Sequence, residues 1–99
     1  MAKPAYRIAK SPIHGMGLFA VRRIRKGEII GTLEGDYTDS DGMHVLWLDE
    51  RTGFRVENDL KYINHADRPN ACYYDDLSVV ALRDIAPGEE ITHDYNADW

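Results

Sequence analysis

No window of this chain carries the 3.6-residue apolar period of a long helix. Its apolar residues come instead in short runs closed by Gly, Pro, Asp or Asn, a punctuation that allows little besides short strands joined by turns. Residues 6–9, 18–21, 28–33, 44–49, 54–57, 71–74 and 77–82 are the expected strands. Glu50-Arg51-Thr52-Gly53 closes residues 44–49 onto 54–57 as a hairpin, and Asp75-Asp76 does the same between 71–74 and 77–82. Residues 36–42 read as a polar loop, and residues 58–63 allow one helical turn with Asn58 or Asp59 as its cap. No internal repeat, linker or low-complexity tract is expected. The pattern is that of a compact, mostly-β chain with one domain spanning residues 1–99.

At 99 residues such a domain has a thin core and room for one site. Its 43% hydrophobic and 29% charged content is that of an ordinary folded chain, and no apolar run approaches the length of a bilayer, so no membrane partner is expected. The N-terminal residues lack the apolar stretch of a secretory signal. The single cysteine, Cys72, can build neither an internal disulfide framework nor a four-cysteine zinc site and reads as a small buried hydrophobe. An intracellular protein, cytoplasmic by default, is the expectation, with nuclear or nucleoid association compatible.

The charge is divided along the chain. Residues 1–33 hold seven basic side chains against Glu28 alone, while the remainder holds five basic and sixteen acidic ones, for a net charge of −5. An acidic second part attracts a basic partner, speeds its encounter and repels nucleic-acid phosphate. The same charge also serves plain solubility.

Three clusters could carry chemistry. His14-Gly15-Met16-Gly17 puts two glycines just before a strand, where backbone amides and carbonyls can approach a ligand without a β-carbon in the way. No phosphate loop follows from it, since no helix and no Gly-Lys-Ser/Thr ending come after. Asn64-His65, followed by Pro69-Asn70, sets donor- and acceptor-rich groups where the chain enters the interior. Singly, His65 reads as a satisfied core or turn histidine. The four histidines lack the spacing of a zinc site, and no metal is expected. The third cluster runs from Gly88-Glu89-Glu90-Ile91-Thr92-His93 into Asp94-Tyr95-Asn96-Ala97-Asp98-Trp99, whose aromatics could anchor the terminus to the core.

Taken in order, the Gly-x-Gly loop, the Asn-His-x-x-x-Pro-Asn element and the Gly-Glu-Glu-Ile-Thr-x-Asp-Tyr element resemble those of the SET-domain family of protein lysine methyltransferases. The resemblance runs from about Ser11 to the C-terminus. It implies a β-clip type fold of short sheets with a C-terminal pseudoknot, in which the last segment threads beside the Asn-His strand.

By motif position the resemblance implies a site for S-adenosylmethionine made by His14, Gly15, Met16, Asn64 and His65, with Trp99 stacking on adenine. It makes Tyr95 the catalytic tyrosine and sets Tyr73 and His93 in the substrate channel. The implied activity is methyl transfer to a lysine amine of a basic protein or peptide, with no metal and no direct nucleic-acid partner.

Some residues depart from the family pattern. Ala66 stands where a serine is usual, and His93 where many members carry Tyr or Phe. His93 could titrate near neutral pH or be a plain strand residue facing solvent. The segment between Leu33 and Tyr62 is short, and no cysteine-rich cluster follows Tyr95, so a homodimer or the substrate itself is expected to complete the grooves. Two other readings remain open here: a SET-like module that binds cofactor or a basic peptide without turnover, and a small β interaction domain without cofactor.

Overall fold

The computed structural model describes residues 4–42, 44–74 and 76–93. Among these residues ten short strands form three small sheets. In the first, β1 (Tyr6–Lys10) and β2 (Met16–Ala20) make an antiparallel hairpin with Lys10 opposite Met16. The sheet continues through β10 (Glu90–His93) to β7 (Asn64–His65), in the order β1-β2-β10-β7. β10 is antiparallel to β2 and parallel to β7, with Thr92 opposite Asn64 and His93 opposite His65. This sets the last described strand beside the Asn-His segment.

The second sheet, in the order β3-β9-β8, joins β3 (Ile29–Thr32) to the hairpin of β8 (Ala71–Tyr73) and β9 (Ser78–Ala81). β9 is buried along its whole length, which its run of Val79, Val80 and Ala81 permits on both faces. The third sheet, in the order β4-β6-β5, sets β4 (Gly35–Thr38) beside the other expected hairpin, β5 (Val45–Trp47) with β6 (Gly53–Val56). Leu18, Ile24, Leu60, Val79, Ile85 and Ile91 are almost wholly buried and form the centre of the core. Cys72 is buried, as its expected role as a small hydrophobe requires.

Two local expectations are corrected. Asp36-Tyr37-Thr38, expected as loop, belongs to strand β4 (Gly35–Thr38), paired with β6 from Gly35 opposite Val56 to Thr38 opposite Gly53. The segment has no apolar alternation of its own. Its pairing partner decides it, helped by the Tyr37 ring meeting Phe54 edge-on at 5.1 Å. The helical turn is a 3-10 turn at Asp59–Tyr62, and Asn58 does hold the cap position. Its side chain does not cap, however, and Nδ2 donates to the Thr32 carbonyl at 2.9 Å, tying the turn to the end of β3.

The third correction concerns repetition. Arg22-Arg23-Ile24-Arg25-Lys26-Gly27-Glu28 and Arg83-Asp84-Ile85-Ala86-Pro87-Gly88-Glu89 share an Arg-x-Ile-x-x-Gly-Glu pattern, and they fold alike. Arg22 and Arg83 each donate to the glutamate of their own turn at 2.6 Å. Each glutamate also accepts a turn amide at 3.1 Å, from Arg25 in one copy and Ala86 in the other. Gly27 and Gly88 take φ of 84° and 85°, a left-handed geometry that a side chain would strain. Ile24 and Ile85 bond each other reciprocally at 2.9 and 2.8 Å, so the two turns meet about a local two-fold.

The strands flanking these turns are exchanged. β2 pairs with β10 rather than β3, with Phe19 opposite Glu90, and β9 pairs with β3, with Val80 opposite Ile29. The two turns thereby interlock the first and second sheets. The repeat escapes a reading of the sequence because it is short and its copies lie far apart, so only their contact makes the equivalence visible.

Candidate functional site

The polar groups of the three motifs meet at Glu90, the first residue of β10. Both asparagines of the Asn-His-x-x-x-Pro-Asn element reach it. Asn64 donates Nδ2 to the Glu90 carboxylate at 2.9 Å. Asn70, almost wholly buried, donates to the Glu90 carbonyl at 2.8 Å, and its Oδ1 accepts the Thr92 amide at 2.8 Å. Asn70 thereby pairs a buried strand amide and a part-buried strand carbonyl. It ties the Pro-Asn turn to β10.

Asn64 also bridges to the glycine loop. The same Nδ2 lies 3.0 Å from the His14 carbonyl and 3.2 Å from the Met16 carbonyl. The loop is closed by the Ser11 amide bonding the Gly15 carbonyl at 2.8 Å, and Gly15 takes a φ of 46° with open space where a β-carbon would stand. His14, Gly15 and Met16 are exposed. Ser11 completes the cluster, its hydroxyl lying 2.8 Å from each carboxylate oxygen of Glu90.

The second glycine of the loop has a different use from the expected one. Gly17 is buried, and a β-carbon there would collide with the Glu90 carboxylate. It makes room for a protein carboxylate, whereas Gly15 leaves the open side of the loop clear.

The preceding residue, Glu89, is spent on structure. Arg83, donating at 2.6 Å, holds its carboxyl below the ordinary carboxylate range, with the Ala86 amide and Asn70 helping.

Of the expected site residues, His14, Gly15, Met16 and Asn64 are brought together. His65, on the same short strand, is exposed, with Nε2 3.7 Å from Asp67 Oδ1, so it is not a core histidine. Tyr73 and His93 form a second group, their rings 4.6 Å apart and inclined by 57°. His93 is fully buried, which overturns the expectation of a strand residue facing solvent. Its strand lies in the middle of the first sheet, with β8 against it, and the Tyr73 ring covers it. Tyr95 and Trp99 lie outside the described residues.

Glu90 and Ser11 were not singled out from the sequence. The signal was present in the doubled glutamate. The first copy of the turn reads Gly27-Glu28-Ile29 and the second Gly88-Glu89-Glu90, so one glutamate exceeds what the turn needs.

Among the described residues no group of three or more His, Cys, Asp or Glu side chains is arranged to hold a metal ion, and no helix is long and apolar enough to cross a membrane.

A family model described as the SET domain matches residues 15–96. The chain is 30% identical over 118 residues to the H3 lysine-4 specific histone-lysine N-methyltransferase of Cryptococcus neoformans, covering 94% of this chain and 8% of that protein. It is 29% identical over 121 residues to the histone-lysine N-methyltransferase MEDEA of Arabidopsis thaliana, covering 93% of this chain and 17% of that one. The chain therefore spans only a small part of the length of these relatives. A crystal structure of a candidate histone methyltransferase from Plasmodium falciparum superposes with a TM-score of 0.76 at 20% identity, over 99% of this chain and 98% of that one, and shares its fold. With the family model spanning both glycines of the loop, both asparagines and β10, the chain belongs to the SET-domain family.

Proposed function

We propose that this SET domain is a protein-lysine N-methyltransferase that uses S-adenosylmethionine and acts on a lysine in a basic protein or peptide. The observation that carries the reading is the junction at Asn64. There a side-chain amide from the Asn-His strand, two carbonyls of the exposed glycine loop and the Glu90 carboxylate converge within 3.2 Å. An acceptor-rich rim beside an open loop suits the ammonium of an amino-acid ligand, so the residues fit the methionine end of the methyl donor. His14, Gly15, Met16, Asn64 and His65 would hold it, with Trp99 on the adenine side.

When bound, the donor supplies an electrophilic methyl on a sulfonium. The chain's own task is to deliver a neutral amine in line with it. A free lysine has a pKa of about 10.4 and is almost wholly protonated at neutral pH. Removal from water among Tyr73, His93 and Tyr95 disfavours the ammonium, and a nearby positive charge lowers its pKa further. Tyr95 orients the reacting groups, and aromatic walls restrict the amine to the productive line. Exposed carboxylates on the third sheet and its loops, among them Asp36, Asp39, Asp41 and Glu50, favour a basic peptide. The names of the relatives, which are histone-lysine N-methyltransferases, support a histone-like tail as the substrate class.

The experiment is incubation of the chain with isotope-labelled S-adenosylmethionine and a set of basic proteins, histones included, followed by mass spectrometry. Methyl groups on lysine are expected. In parallel, donor at a hundredfold excess over its dissociation constant raises unfolding stability by about 2.7 kcal/mol. The absence of both methylated lysine and a donor-dependent rise in melting temperature would overturn the proposal.

A further inference from the structure

We infer that Glu90 is a positioning residue that fixes the donor-acceptor polarity of the Asn64 amide, so that Asn64 offers its carbonyl oxygen to the ligand side of the site. The inference rests on the proposed S-adenosylmethionine site and adds a residue to it. Three acceptors face Asn64 Nδ2: the His14 carbonyl at 3.0 Å, the Met16 carbonyl at 3.2 Å and the Glu90 carboxylate at 2.9 Å. A primary amide has only two protons to give. The reversed amide would set Oδ1 against three oxygens with no proton among them, one of which carries charge. The carboxylate is the strongest of the three acceptors and makes the bond to Asn64 charge-assisted. With the NH₂ group directed at this oxygen cluster, Oδ1 points away from it and can accept a bond from an N–H donor of the ligand.

Glu90 is itself held for this task. Ser11 binds both of its oxygens, Asn70 binds its carbonyl, and Gly17 vacates the space that the carboxylate fills. The internal repeat shows that the side chain is not needed by the turn. Its counterpart, one residue after the glutamate of the first copy, is Ile29, which is exposed, while Glu28 and Glu89 make the ion pairs of their own turns. The two copies of the turn thus differ at the residue that reaches Asn64. A duplicated scaffold element has one copy turned toward the ligand.

The test uses the full chain and four variants: Glu90→Ala, Glu90→Gln, Asn64→Asp and the pair Asn64→Asp with Glu90→Gln. Donor affinity by titration calorimetry is read beside the rate at saturating donor. Glu90→Ala is expected to weaken S-adenosylmethionine binding about tenfold, the worth of one well-made hydrogen bond, with little change in the saturated rate. Asn64→Asp opposes two carboxylates and costs about a hundredfold or more. The double variant restores a donor facing an acceptor across the same gap and regains at least about tenfold of that loss, which a purely structural role would not give. The Asn64 side-chain NH₂ resonances of the ligand-free chain provide an independent reading, and they are expected to shift in Glu90→Gln. Unchanged NH₂ resonances in Glu90→Gln, unaltered donor affinity in Glu90→Ala, or strictly additive losses in the pair would each overturn the inference. If the unsubstituted chain binds no donor while the resonances still depend on Glu90, the amide lock stands and the proposed function fails.

Discussion

Gly17 lies so close beneath Glu90 that a β-carbon at that position would overlap the carboxylate and come within 3.0 Å of Ser11 Cβ. The second glycine of the loop is therefore demanded by a side chain from the far end of the sequence.

Gly17→Ala is expected to displace the Glu90 carboxylate and part it from Ser11 and Asn64. Overpacking of this kind costs about 1–2 kcal/mol. Urea unfolding measures it, and the loss should shrink in a Gly17→Ala, Glu90→Ala double variant because the colliding group is gone.

Asn70 is 1% exposed and serves the Glu90 carbonyl and the Thr92 amide at once. Asn70→Ala takes the side-chain partner from the buried Thr92 amide and the part-buried Glu90 carbonyl and is expected to destabilise the chain by about 2–4 kcal/mol. The urea midpoint should fall with the slope unchanged.

Ile24 and Ile85 are both fully buried and bridge each other across the local two-fold. Ile24→Ala and Ile85→Ala each remove a core side chain at a cost of about 3 kcal/mol. Since their surroundings are related by the repeat, the two losses should agree within about 1 kcal/mol. A large inequality in urea unfolding would show that the equivalence ends at the backbone.

Acid stability follows from four carboxylates. Glu28 is held below the ordinary range by Arg22, Glu89 by Arg83, Asp49 by the amides of Arg51 and Thr52, and Asp76 by the Ser78 hydroxyl and amide. Each binds protons less readily folded than unfolded, so its contribution is fully present above the unfolded value near pH 4 and is lost as pH falls through the lower folded value. The melting temperature is expected to fall steadily below about pH 4. Glu89→Gln and Asp76→Asn should each flatten part of that fall, as calorimetry across the acid range would show.

Tyr95→Phe retains the ring and removes the hydroxyl that the proposed function assigns to orienting the reacting groups. Methyl transfer at saturating donor is expected to drop about a hundredfold, with donor affinity little changed. Single-turnover kinetics beside titration calorimetry separates the two. Undiminished transfer would show that the hydroxyl has no such role.

The mostly-β class, both hairpins, a helical turn capped at Asn58 or Asp59 and the burial of Cys72 were legible in the sequence, because each follows from neighbours within a few residues. Turn chemistry and short apolar runs are local matters. The ordered motifs also pointed to the SET family. β4 was not legible, since Asp36, Tyr37 and Thr38 become a strand only through β6. The burial of His93 under Tyr73 was not legible either, because it depends on β10 entering between β2 and β7.

By itself the sequence determined which groups could do chemistry and that they sit on short strands beside turns. Tertiary structure alone decided that Glu90 joins them, since its partners Ser11 and Asn64 are 79 and 26 positions away. It also decided that two like turns interlock through Ile24 and Ile85, leaving one glutamate over. The physical reason is that a hydrogen bond is fixed by distance and angle in space, while spacing along a chain fixes geometry only within a turn or a strand.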